Sequence, residues 1–309
     1  MKLGAAILLA TAIGMGAIGM GALGLGALGL VGCSSPAPAE VGYFGDTLTL
    51  PQLVERVNQN NDKLPTLWAR EKFEAEIVDR KKNKTNRIDG YGNLLFTGPN
   101  QMKLTAKNEV ADLFEMGSDG ARFWLWEKHD QVFWWGKYAD LDKVDAAEIP
   151  VRPDMVMEVL GIRPLDSDLL KQPSPVLRFN SASDAYMVDW QIQTADHWAV
   201  MKEIWYDRQT LLPNRVVLFD AKGRVALWAR LSNFAGVETA NVGRDQWPSV
   251  ATHYELFFPL SGTTMTFDLS DMSLSHNGFP NAVTYRMPDP SKLGDSGVRV
   301  NRIDEESVR

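Results

Sequence analysis

One thiol, four imidazoles and many carboxylates decide which chemistry is open to this chain. Cys33 is the only cysteine, which excludes an intramolecular disulfide framework and a multi-cysteine zinc or iron–sulfur site. His129, His197, His253 and His276 are scattered, with no His-x-x-x-His or His-x-His pair among them. Gly294-Asp295-Ser296-Gly297 matches the short signature around a serine-protease nucleophile. Val298 and Arg299 follow, however, where that signature continues with Gly and Pro. No glycine-rich phosphate loop is present, and no motif marks a catalytic pair among the carboxylates. The sequence therefore predicts no enzyme, no metal and no cofactor.

What remains is the thiol and its setting. Lys2 is the only charge before Glu40, and the stretch between is apolar and rich in glycine. An apolar run of this length suits either an uncleaved membrane helix or a long signal peptide. Leu30-Val31-Gly32-Cys33 resembles the bacterial lipobox, which favours the second. The resemblance implies cleavage before Cys33 and a diacylglyceryl thioether on its sulfur. Ser34 to Glu40 is then a small-residue, Pro-containing tether, and two or more acyl chains give stable anchoring. Ser34, in place of Asp, resembles the outer-membrane-destined type. The segments expected are a signal peptide over 1–32, lipidated Cys33 with its tether over 33–45, one domain over 46–290, and a polar tail over 291–309.

Composition sets the class of that domain. Hydrophobic residues make up 45% and charged residues 23%, an ordinary globular balance and not that of a multi-pass membrane protein. The net charge of −7 disfavours wrapping nucleic acid. Leu50, Leu53, Val54 and Val57 recur at helical spacing after a capping Thr49 and Pro51. Asn58 to Asp62 is a polar break, and a second helical piece is expected from Pro65 through Leu67 and Trp68. From Phe73 the period changes to two. Arg80 to Arg87 is a basic run that suits a solvated loop or contact with anionic headgroups. Strands then follow at short spacing, with turns at Gly98-Pro99-Asn100 and Asp119-Gly120. Pro153 to Leu160 interrupts them as a helix, and strands resume from Val176 to Leu269. Lys292 to Arg309 reads as a disordered tail.

One hairpin is unusual. A turn at His129-Asp130 sets Trp124 opposite Trp135 and Trp126 opposite Phe133 on one side. Phe123, Leu125, Val132 and Trp134 lie on the other. An ordinary antiparallel sheet keeps one face wet. This hairpin must be covered twice, by core on one side and by a helix, lid or ligand on the other.

The chain is similar to the LolA/LolB-like lipoprotein-carrier superfamily, which also includes RseB-type stress sensors and mycobacterial lipid-carrying lipoproteins. The matching features run in order. A helix leads into a first strand, and Pro99 precedes alternating Met102 and Leu104. Then come Asp119-Gly120-Ala121-Arg122-Phe123-Trp124-Leu125-Trp126, an interrupting helix, and Leu212-Pro213 with the turn Asp220 to Gly223. The resemblance implies an α+β fold, an open antiparallel half-barrel whose strongly curved sheet is covered by a few helices around an apolar cavity. Either Trp124, Trp126, Phe133 and Trp135, or Phe123, Leu125 and Trp134, would line it. The implied partners are the membrane through the anchor, lipid or lipoprotein acyl chains, and for a sensor an envelope protein.

Overall fold

The computed structural model describes residues 46–79, 84–143, 151–281 and 283–303. Cys33, the signal and tether segments, and Arg80, Lys81 and Lys82 of the basic run lie outside the described residues. Helix α1 (Leu50–Asn61) opens with Gln52 Oε1 accepting from the Thr49 backbone N–H at 3.0 Å. It buries Leu53, Val54 and Val57. Strands β1 (Thr66–Asp79), β2 (Lys84–Thr97) and β3 (Gln101–Lys107) follow. Next come β4 (Asp112–Asp119), β5 (Arg122–Glu127) and β6 (Val132–Lys137). Helix α2 (Pro153–Leu160) separates these from β7 (Ser174–Asn180), β8 (Ala185–Gln193) and β9 (Trp198–Asp207). The chain continues through β10 (Pro213–Phe219), β11 (Val225–Gly236), β12 (Ser249–Phe258) and β13 (Thr263–Ser273). It closes with α3 (Pro290–Asp295) and β14 (Arg299–Arg302).

All fourteen strands join one sheet, in the order β14-β6-β5-β4-β3-β2-β1-β13-β12-β11-β10-β9-β8-β7. The two ends of the described chain thus build different parts of it: β1 sits in the middle and β14 at an edge. Every named pairing is antiparallel except β14 with β6, which is parallel. The sheet is therefore mixed, where the sequence suggested a purely antiparallel one. The parallel pair follows from chain path, because the C-terminal segment returns from the far half of the sheet to reach β6.

Side chains alternate as strand geometry demands. In β1, Ala69, Glu71, Phe73 and Ala75 are buried on one face while Arg70, Lys72, Glu74 and Glu76 are exposed on the other. One large apolar cluster covers the inner face, drawing Phe96, Leu125, Val188, Leu227, Tyr254 and Phe267 from across the sheet. Helix α2 is apolar nearly all round: Met155, Val156, Met157, Val159 and Leu160 are all buried. Such a helix belongs in a core, and α2 packs on β4, β5 and β10. It stops at Gly161, whose φ of 67° is left-handed. A Cβ there would stand 2.7 Å from Pro213 Cγ.

Two further expectations change. The piece from Pro65 is strand, not helix, because Leu67 enters the main core while Trp68 is buried on the opposite side with Phe279 and Tyr285. Apolar neighbours buried on both faces blur the period that separates helix from strand. The tail expected to be disordered is ordered through Ile303 as α3 and β14. Its few apolar side chains suffice because an aromatic surface waits for them.

Candidate functional site

That surface is the β5–β6 hairpin. Its register matches the sequence reading: Trp124 faces Trp135, Trp126 faces Phe133 and Leu125 faces Trp134. The loop is longer than a two-residue turn and spans Lys128 to Gln131, with Gln131 in the left-handed region at φ 52°. The two faces have separate covers. Trp124 and Phe133 are fully buried with Met287 and Val298, and Trp126 and Trp135 pack beside them against Leu293 and Val300. The cover here is the chain's own C-terminal segment. Phe123 and Leu125 join the main core, and Trp134 packs against it.

The inner face encloses a small cavity of about 20 Å³. Leu104 of β3 and Phe114 and Met116 of β4 line one side. Leu256 of β12 and Met265 and Phe267 of β13 line another, and Val156 of α2 closes it together with Val151 just before the helix. Phe73 and Glu71 complete it from β1. Glu71 is only 3% exposed, and its Oε1 has no hydrogen-bond partner. Burial alone pushes its carboxyl up to about 8, because an unpaired carboxylate in an apolar setting takes a proton instead of staying charged. Its β2 neighbour is Gly92, where a Cβ would lie 1.7 Å from the Thr105 carbonyl oxygen. No side chain can stand there.

A larger groove of about 670 Å³ borders the other side of α2. Met157, Glu158 and Gly161 line it from the helix, with the 163–168 loop, Trp190, Lys202, Ile204 and Tyr206 around them. Its polar wall is a charge cluster. Lys202 Nζ donates to Glu158 Oε2 at 2.7 Å, and Arg163 Nη1 to Glu158 Oε1 at 2.5 Å. Lys202 also sits over the Trp190 ring, 4.4 Å from its centroid. Burial works to raise the Glu158 carboxyl, but Lys202 and Arg163 outweigh it and hold it below its ordinary value.

The loop beside the groove is clamped by α1. Leu165 N–H donates to Asn58 Oδ1 at 2.7 Å, and Asn58 Nδ2 donates back to the Leu165 carbonyl. Asn61 Nδ2 donates to the carbonyl of Arg163 at 2.9 Å. Asn60 makes the same two-way bridge with Ser249 at the start of β12. The polar run expected as a break is thus the last turn of α1, a set of ties to the 163–165 loop and to β12 that its composition alone did not reveal.

The seven hairpin residues line neither of these two cavities. Glu71 and Glu158 were missed, since neither stands in a motif. The available signal for Glu71 was a charge at an inward position of an alternating strand. The histidines are dispersed, with one pairing of note. His253 Nδ1 lies 2.7 Å from Asp268 and its Nε2 3.6 Å from Glu255, all on the outer face of β12 and β13. Asp268 raises the His253 pKa, and burial opposes it. Neither cavity reaches this cluster, and among the described residues no group of acidic, His or Cys side chains could hold a metal. Gly294 to Gly297 ends α3, where Ser296 Oγ donates to the Leu293 carbonyl. In the basic run, Arg87 pairs with Glu76 at 2.6 Å.

No family model matches the chain, and no curated protein matches it. Among solved structures it is similar to a DUF1329 family protein from Desulfovibrio piger, with 11% identity and a TM-score of 0.49 over 79% of this chain and 97% of that one. A LolA superfamily protein from Nitrosomonas europaea gives 13% identity and a TM-score of 0.48, over 78% and 99% of the two chains. An outer membrane lipoprotein-sorting protein domain from Vibrio parahaemolyticus gives 9% and 0.46, over 80% and 97%.

Proposed function

We propose that this chain is a lipid-anchored envelope protein that takes an acyl chain, from a lipid or a lipoprotein, between its sheet and α2. The observation that carries this reading is the apolar interior beneath α2: nine apolar side chains around one cavity, closed by a helix of eight residues. Helix α2 is tied to the sheet by the Glu158–Lys202 pair and the Tyr254–Leu160 bond, and a helix of two turns is still easier to displace than a sheet strand held on both sides. Anchoring rests on Cys33 and its lipobox, and with Ser34 it points to the outer membrane.

A curved sheet is part of the reading, and arithmetic supports it. Seven strand steps separate β4 from β10, which is about 34 Å in a flat sheet. Helix α2 spans only about 12 Å, yet it packs on both. The sheet wraps around the helix. Of the two aromatic faces, Phe123, Leu125 and Trp134 then look inward. Trp124, Trp126, Phe133 and Trp135 serve the junction with the C-terminal segment.

The test is native mass spectrometry on the full chain purified from a bacterial envelope. A co-purifying acyl lipid is expected, and Phe123→Ala with Leu125→Ala lowers its occupancy. Trp124→Ala with Trp135→Ala, in a chain that still folds, leaves it unchanged. No acyl lipid in any preparation counts against the reading. It then favours a second one, a sensor or interaction module, for which the exposed Trp198 (57%) and Val176 (41%) near the β7 edge offer a surface.

A further inference from the structure

Resting on that acyl-binding reading, we propose that Glu71 is the polar anchor of the site. Its protonated carboxyl donates a hydrogen bond to the ester or amide carbonyl of the bound acyl group, and ionisation of Glu71 releases the ligand. Three observations converge on it. Glu71 is 3% exposed and projects from the middle of β1, the central strand of the inner face. Its Oε1 has no partner. Every other residue lining its cavity is apolar.

A buried polar group without a partner is costly, so its persistence asks for a partner that arrives. Water is a poor one. A volume of about 20 Å³ admits a single molecule, but a buried water needs two to four polar contacts, and this lining offers only Glu71. An acyl carbonyl fits better. It brings one acceptor for one donor, and its chain suits the apolar wall. Entry of the chain displaces Val156 of α2 and Val151 just before it.

Nothing charged faces Glu71 among the described residues. Its strand neighbours are Gly92 on β2 and Leu269 on β13. Across the cavity stand Leu104, Phe114, Leu256 and Val156. Tyr254 stacks on Phe267 at 4.3 Å, its hydroxyl donates to the Leu160 carbonyl, and burial keeps it neutral. With no cation in reach, the carboxyl stays a donor at neutral pH and becomes a repulsive acceptor once ionised, near pH 8.

The experiment measures binding of three matched probes to the full chain from pH 6 to 9.5. They are 1-decanoylglycerol, its ether 1-O-decylglycerol, and decylamine. The ester is expected to bind more tightly than the ether at pH 6, and to weaken by about thirtyfold at pH 9.5 if the carboxyl titrates near 8. Glu71→Gln keeps a donor and abolishes the pH dependence. Glu71→Leu weakens the ester by about tenfold and leaves the ether unchanged. Circular dichroism of both variants confirms the fold. Equal, pH-independent binding of ester and ether overturns the role of Glu71 and leaves acyl binding intact. A preference for decylamine that strengthens above pH 8 also overturns it, in favour of a cationic ligand. Binding of no probe removes both readings together.

Discussion

Two glutamates, Glu158 on α2 and Glu71 beneath it, have opposite fates. Glu158 lies at the groove with Lys202 and Arg163 bonded to its two oxygens, so it stays charged below its usual pKa. Glu71 lies under the helix with no partner for Oε1, so burial pushes it up to about 8. The contrast is first one of partners and then of burial, since Glu158 is half-buried with two cations on it and Glu71 is buried with none. A carboxylate with two cations at hydrogen-bond distance recovers its hydration energy in part. One surrounded by Phe and Leu recovers nothing and gives up its charge. The groove side is therefore a structural tie, and the inner side carries a carboxyl that burial keeps protonated at neutral pH.

Substitution sharpens this difference. The largest effect is expected at Glu71. Its folded pKa lies above the unfolded 4.5, so the folded state binds the extra proton between 4.5 and about 8. Stability is then full below 4.5 and declines as pH rises to about 8. Glu71→Gln removes that slope. Urea unfolding should show the variant more stable than the parent by about 5 kcal/mol at pH 9, with the gap closing toward pH 4. Parallel curves for the two chains would break the comparison.

Glu158→Gln should act with the reverse sign. It leaves Lys202 and Arg163 without their anion and costs about 2 kcal/mol at pH 7. The folded pKa of Glu158 lies below its ordinary value. Its contribution is thus present above 4.5 and lost as pH falls through the folded pKa, so the cost of the variant vanishes in acid. The smallest effect is expected for Lys202→Met, about 1 kcal/mol. Arg163 still holds Glu158 in that variant, and the Met side chain still covers Trp190. Its unfolding curve should keep the parent's pH dependence at the alkaline end, where Glu71 acts.

Local pattern made much of this legible. Helix α2 runs from Pro153 to Leu160 as the spacing suggested, because caps and turns are decided within a few residues. The hairpin register was legible too, because a turn centred on His129-Asp130 fixes which positions face each other. Glu71 was not. An inward acid on β1 looks like any other strand charge until β3, β4, β12 and β13 close around it. The ties from Asn58, Asn60 and Asn61 were equally hidden, for their acceptors lie about one hundred residues or more away.

The sequence by itself determined the bounds of α2, which residues face each other in the β5–β6 hairpin, and that this hairpin needed two covers. Tertiary structure alone decided which covers those were: α2 and the core inside, and α3 with β14 outside. It also decided which carboxylate kept its charge. Propensity and alternation are local sums, whereas desolvation and pairing depend on what the rest of the chain brings within a few ångströms.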